Sequence, residues 1–258
     1  MRLHKETLPE QTLAIFEELF QNPLMAATQG TLLGGTALSL QINHRLSEDL
    51  DFTYFTDKLP YEEINKLISA LKAKGILVAN TLDASKISQA KINGYDLEEY
   101  IREYTLNGVR ISFFVMNKGG DLRRDYFKNV PTLNINGAFK ILNVNSLFES
   151  KSVVLMDRVK SRDIFDLMVL IMNHGYQVKD IINAIQRIDK KEDQQARVAL
   201  NVLTGLIPLD KDDLGFKSIG MQLEMNVIYD FFIKKVDDYE CKIAISQLFD
   251  LSDKHERP

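Results

Sequence analysis

The stretch Leu33-Gly34-Gly35-Thr36-Ala37-Leu38, followed by His44-Arg45-Leu46-Ser47-Glu48-Asp49-Leu50-Asp51-Phe52, decides how this chain is read. Gly30 to Gly35 is a short apolar piece ending in a glycine pair, and reads as a brief strand running into a turn. Thr36 to Arg45 has helix-compatible apolar positions at Ala37, Leu38, Leu40 and Ile42. Asp49 to Phe55 then alternates carboxylate and apolar, the period of two expected of a strand with one buried face. In that strand Asp49 and Asp51 share a face, while Leu50 and Phe52 point into the core. Two neighbouring carboxylates repel unless a cation lies between them, and hard divalent cations prefer such oxygen ligands. Glycines ahead of a helix let a phosphate approach the backbone, where free N–H groups and the helix dipole favour the anion. Thr36 and Ser39 could each donate a hydroxyl. A phosphate cradle shortly before a two-carboxylate strand is the layout for metal-assisted nucleotidyl transfer.

Outward from this stretch, Pro9 to Phe20 reads as a helix and Pro60 to Lys74 as another, with Gly75 placed to end it. Ile76 to Asn117 reads mostly as strand. Val109 to Val115 is its clearest piece, with Asn107-Gly108 before it as a hairpin turn. Beyond about Asn145 helical periods dominate: Ser146–Val159, Ile164–Asn173, Val178–Ile188, Gln194–Leu203, Met221–Val236 and Cys241–Phe249. Strands mixed with helices, then helices alone, predict an α/β (α+β) domain over residues 1–150 and a helical bundle domain over 151–258.

Composition limits the function classes. The 258 residues carry 32 Lys+Arg and 36 Asp+Glu, a net charge of -4, with pI ≈ 5.7. That balance argues against a nucleic-acid coating protein and leaves a local basic groove open. The one cysteine, Cys241, rules out an internal disulfide and a cysteine-based zinc site and fits a reducing cytoplasm. No apolar signal-peptide core and no spanning segment is expected, so a cytoplasmic protein without membrane partners is. There is no Gly-x4-Gly-Lys-Ser/Thr loop and no Gly-x-Ser-x-Gly elbow. The four histidines show no metal-ligand spacing, and His44 reads as a local hydrogen-bonding residue. Tyr95, Tyr100 and Tyr104 read as an amphipathic surface, and Arg123, Arg124 and Lys128 as a modest basic cluster.

The string Gly-Gly-Thr-Ala-Leu…His-Arg-x-Ser-x-Asp-Leu-Asp-Phe over residues 33–52 resembles the AbiEii/AbiGii toxin-like family of polymerase-beta-type nucleotidyltransferases. A second block is similar too: Lys151, then Arg162-Asp163-Ile164-Phe165-Asp166-Leu167. The resemblance implies a mixed-sheet nucleotidyltransferase domain with an NTP and Mg2+ or Mn2+ at Asp49 and Asp51. It implies phosphate contacts from Gly34, Gly35 and Thr36, with Arg45 and Ser47 beside them. Lys151 and Arg162 would hold the nucleotide, and an acid at Asp163 or Asp166 would complete the site. If Ser146–Leu167 were one helix, turning ~100° per residue, Lys151, Arg158 and Arg162 would align within roughly 20°. Asp166 would then lie about 60° from that line and Asp163 about 120°, which favours Asp166. Ser161, a plausible N-cap, would void that count. Between Lys151 and Arg162 the local charge is basic, with Lys151, Arg158, Lys160 and Arg162 against Asp157.

Superfamily members often carry a third carboxylate on a neighbouring strand. In Val109–Val115 the face of Arg110, Ser112 and Phe114 offers none, and Ser112 stands where the acid is expected. Three functions follow. The first is an enzyme moving an NMP from an NTP to an RNA (a tRNA 3′ end among them) or protein acceptor, as the toxin of a toxin-antitoxin or phage-defence pair with a cognate antitoxin. The second is a nucleotide-binding module with degenerate catalysis, and the third a small-molecule (antibiotic) nucleotidyltransferase.

Overall fold

A computed structural model describes residues 2–116, 120–216 and 219–255. Asn117, the last residue of the range predicted as strand, lies outside them. The chain divides into two compact units, Met1–Leu147 and Phe148–Pro258.

The first unit holds α1 (Glu10–Gln21), α2 (Pro23–Thr28), β1 (Thr31–Leu33), α3 (Gly34–Ile42), β2 (Leu50–Tyr54), α4 (Tyr61–Ala73), β3 (Val78–Asn80) and α5 (Ala84–Ile92). Then come β4 (Ile101–Leu106), β5 (Val109–Val115), α6 (Gly120–Lys128), β6 (Thr132–Ile135), β7 (Phe139–Leu142) and the start of α7 (Val144–Val154). The strands form one mixed seven-stranded sheet in the order β3-β4-β5-β2-β1-β7-β6. β2 runs antiparallel to β1 and parallel to β5, and β1 runs parallel to β7.

Residue parity sorts the two faces of this sheet. On one face Tyr104, Phe113, Phe52 and Phe139 form a chain of ring contacts 5.3–6.3 Å apart. Phe16 of α1 meets Phe139 edge-on at 5.6 Å, and Ile15 and Leu19 are buried beside it. The apolar stripe of α1 therefore covers this face. The opposite parity, Asp51 on β2, Ser112 on β5 and Glu103 on β4, is left on the other face in a single row of the register.

Local chemistry explains the turns. Gly34 takes φ 78 at the strand-to-helix junction, a value a side chain resists. Gly75 (φ 86) ends α4, its N–H donating to the Lys72 carbonyl and that of Ile76 to the Leu71 carbonyl. Asn107 and Gly108, both at positive φ, make the expected hairpin between β4 and β5. One expectation is corrected: the 76–117 range is not mostly strand. It contains α5, whose sole buried residue is Ala90, so no apolar periodicity announces it. Asp83 caps it instead, accepting from the Ser85 N–H at 2.7 Å.

The described part of the second unit is helical: the remainder of α7, α8 (Ser161–His174), α9 (Val178–Asp189), α10 (Asp193–Ala196), α11 (Val198–Leu203) and α12 (Met225–His255). α9 buries Val178, Ile181, Ile182, Ile185 and Ile188, and a Gln177/Asp180 capping box starts it. Two expectations fail here. Ser146–Val159 stops at Val154, so Ser146–Leu167 is not one helix. The two C-terminal helices are one, because residues 237–240 hold no glycine or proline and Glu240 is tied to Arg197.

Candidate functional site

Asp51 lies opposite Leu33 of β1 on one side and Ser112 of β5 on the other. On the β1 side a Cβ added to Gly34 would lie 3.2 Å from Asp51 Oδ2. The missing side chain therefore keeps that carboxylate oxygen open toward the start of α3. On the β5 side the Ser112 hydroxyl donates to Asp51 Oδ1. Asp51 and Asp49 are both half-buried.

The turn that delivers Asp49 is held by the other residues of the motif. Thr36, buried in the first turn of α3, brings its hydroxyl to the backbone carbonyl of Asp49 and to Ser47 Oγ, the latter at 2.8 Å. The carbonyl can only accept, so Thr36 spends its proton there and Ser47 donates between the two hydroxyls. A Cβ on Gly35 would collide with Nη2 of Arg45 and lie 3.2 Å from Ser47 Oγ. Arg45 is itself buried, and its Nη1 donates to the Leu46 carbonyl at 3.0 Å. Gly35 is thus the slot for Arg45. Thr36, Arg45 and Ser47 knit the 43–49 turn, and Gly34 is the glycine facing the carboxylate.

Farther along the same face Arg110 donates through Nη2 to Glu103 Oε1 at 3.2 Å. The negative charges of Glu103, Asp49 and Asp51 outweigh burial and push the Arg110 guanidinium above its ordinary value. Glu103 is the acid that the reading of Val109–Val115 alone did not find. It sits one strand further out, in register with Ser112.

The basic cluster near residue 124 is largely committed locally. Arg123 is buried, and Arg124 pairs with Asp57 at 2.9 Å and Asp121 at 2.6 Å. Tyr104 is buried and accepts from Arg102 at 3.1 Å, while Tyr95 and Tyr100 meet edge-on. His44 Nδ1 lies 3.5 Å from Ser39 Oγ.

In the second unit Lys151 Nζ of α7 lies 2.5 Å from Asp163 Oδ1 and 2.8 Å from Asp166 Oδ2 of α8. Arg158 Nε adds a contact to Asp163 Oδ2 at 2.9 Å. The angle count falls because residues 155–160 leave the helix, with Lys160 at the cap and Ser161 the first residue of α8. The second helix presents both aspartates to one lysine. Lys151, Asp163 and Asp166 are all buried. Burial pushes the Asp163 carboxyl up, but Lys151 and Arg158 together hold it below the usual carboxylate range. Arg162 is half-buried.

With this geometry in view, the comparisons are direct. The family described as "Nucleotidyl transferase AbiEii toxin, Type IV TA system" matches residues 26–240. The chain belongs to this family. Members of the AbiEii family are nucleotidyltransferases, and the chain is one of them. A relative from Aquifex aeolicus (strain VF5), "Uncharacterized protein aq_aa25", is 24% identical over 208 residues, 81% of this chain and 86% of its own. Two solved structures are more remote. A crystal structure assigned as a nucleotidyltransferase from H. pylori has TM-score 0.43 at 20% identity, covering 90% of this chain and 98% of its own. The Megavirus polyadenylate synthase has TM-score 0.41 at 14% identity, covering 66% of this chain and 35% of its own. Among the described residues, no helix of this AbiEii chain is long and apolar enough to cross a membrane.

Proposed function

We propose that this chain transfers an NMP from an NTP to an acceptor hydroxyl, an RNA end (tRNA 3′ ends included) or a protein side chain, with a divalent cation at Asp49 and Asp51. The observation that carries the reading is the placing of Asp51 between a glycine that leaves Oδ2 open and a serine that orients Oδ1. Among the described residues no three acidic, histidine or cysteine side chains gather into a ligand set. Two carboxylates nonetheless fit Mg2+ or Mn2+, which complete their shells with phosphate oxygens and waters. When bound, such an ion supplies charge stabilisation at the α-phosphorus. The chain's own part is to fix the two carboxylates on one face, to admit phosphate beside Gly34, and to hold the turn rigid through Thr36, Ser47 and Arg45 over Gly35. The nucleotide-holding roles of Lys151, Arg162 and Asp166 belong to this proposal through the family motif. As a member of a family described as a type IV toxin-antitoxin system, the protein would act as the toxin, in the cytoplasm, beside a cognate antitoxin.

Purified protein incubated with labelled NTPs, Mg2+ and total RNA or lysate should yield one labelled acceptor class. Labelling by Asp49→Ala and Asp51→Ala proteins at the wild-type level would refute the assignment. The second reading, a nucleotide-binding module without transfer, draws on Ser112 in place of an acid. Tight NTP binding by calorimetry with no product on any acceptor would favour it.

A further inference from the structure

The row Asp51–Ser112–Glu103 runs outward from the proposed metal pair across β2, β5 and β4. Arg110 stands beside it, two residues before Ser112 on the same face of β5. Its side chain is 57% exposed, while that of Glu103 is 20% exposed. Arg110 thus has an acid on its outer side and the field of Asp49 and Asp51 on its inner side. The open oxygen of Asp51 and the start of α3 lie on the opposite, β1 side.

This asymmetry matters for an in-line displacement, in which the attacking hydroxyl and the leaving pyrophosphate stand on opposite sides of the phosphorus. If the triphosphate lies toward Gly34 and α3, the acceptor arrives over β5 and β4. There the acceptor O–P bond forms, the bond from the α-phosphorus breaks with its electron pair leaving on pyrophosphate, and the hydroxyl proton passes to solvent water. Resting on the function proposed above, we infer that Arg110 is an acceptor-side positioning residue. It grips a phosphodiester of an RNA acceptor strand next to the attacking hydroxyl, and Glu103 holds it in place until the strand binds. A guanidinium offers two parallel donors that match two phosphate oxygens. Its present partner is a single carboxylate met from the solvent side, the guanidinium itself being mostly exposed, a pair of small net worth that a phosphate can displace. A cation at Asp49 and Asp51 would cancel their pull on the guanidinium and leave it free to turn outward.

The test uses the full chain and a fluorescent single-stranded RNA with a free 3′-hydroxyl. Anisotropy measures binding with Mg2+ present, and labelled-NTP transfer gives separate KM values for RNA and NTP. Arg110→Ala should weaken RNA binding and raise the RNA KM about tenfold, the loss of one charge-assisted contact. The NTP KM should stay within about twofold, because uniform binding is lost for one substrate only. Arg110→Lys should recover part of the loss, and Glu103→Gln should tighten RNA binding. The salt slope of binding should fall by about 0.7 in Arg110→Ala, one phosphate contact on a single strand. Unchanged RNA binding and KM in Arg110→Ala would overturn the inference, as would a rise in the NTP KM alone, labelling of a protein alone, or no RNA binding by the wild type. Failure of the underlying reading looks different: Asp49→Asn would transfer as well as wild type.

Discussion

The hydroxyl of Ser112 donates to Oδ1 of Asp51 across the parallel β2–β5 pair. A neutral side chain therefore occupies the neighbouring strand position and spends its proton on orienting a carboxylate. Ser112→Asp would put two acids face to face and destabilise the metal-free protein by about 1–3 kcal/mol. Added Mg2+ should restore much of that loss, since a cation between the acids reverses the repulsion. Thermal unfolding with and without Mg2+ checks this. A mutant insensitive to Mg2+ would show that no cation sits there.

Gly35 and Arg45 form a steric pair. Gly35→Ala places a methyl group where Nη2 of Arg45 lies, so the buried guanidinium must move and lose its contact to the Leu46 carbonyl. The expected cost is about 1–3 kcal/mol, typical of overpacking. In an Arg45→Ala background the same substitution should cost much less, a coupling of about 1 kcal/mol or more by double-mutant cycle. Urea unfolding of the four proteins measures it, and additive effects would contradict the contact.

The Lys151 cluster makes an acid-side prediction. Asp163 titrates below its ordinary value in the folded protein, so near that pH the unfolded chain binds more protons than the native one. Stability contributed by this carboxylate is present above the unfolded value of about 3.9 and is lost as pH falls through the lower folded value. Asp163→Asn should flatten the rise of unfolding free energy with pH on the acid side of about 3.9, the unfolded value. Lys151→Met removes the ammonium that two buried acids share and should cost about 3–5 kcal/mol at neutral pH. Denaturant titrations at several pH values resolve both effects.

These sites differ in how far the sequence alone disclosed them, and the reasons are physical. The Gly34–Asp51 stretch was legible because strand parity and a glycine turn are local rules. Leu50 and Phe52 do go to the core, and Asp51 to the open face. Ser112 was legible for the same reason. Glu103 could have been found, because the Asn107-Gly108 turn fixes the β4–β5 register and pairs 103 with 112. The use of Arg45 as a lid over Gly35 was not legible, because it depends on a turn with no periodicity. The pairing of both Asp163 and Asp166 with Lys151 was hidden by the break at residues 155–160, which carries neither glycine nor proline. α5 was invisible because it buries almost nothing.

Ligand linkage gives the last prediction. A ligand that binds only the folded protein stabilises it by RT ln(1 + [L]/Kd), about 2.7 kcal/mol at a hundredfold excess over Kd. For a chain of this size that corresponds to roughly 5–10 °C in Tm. Mg2+ with an NTP should produce this shift in the wild type, and either alone should produce less, because the proposed site joins phosphate oxygens and carboxylates in one ion's shell. Asp51→Asn removes one carboxylate charge while keeping the shape that Ser112 and Gly34 surround, so the protein should fold but lose the shift. Arg110→Ala should retain it, because that residue faces the acceptor side. Differential scanning fluorimetry of the three proteins across the four NTPs would also rank the nucleotides. An equal shift in Asp51→Asn would place the nucleotide away from β2.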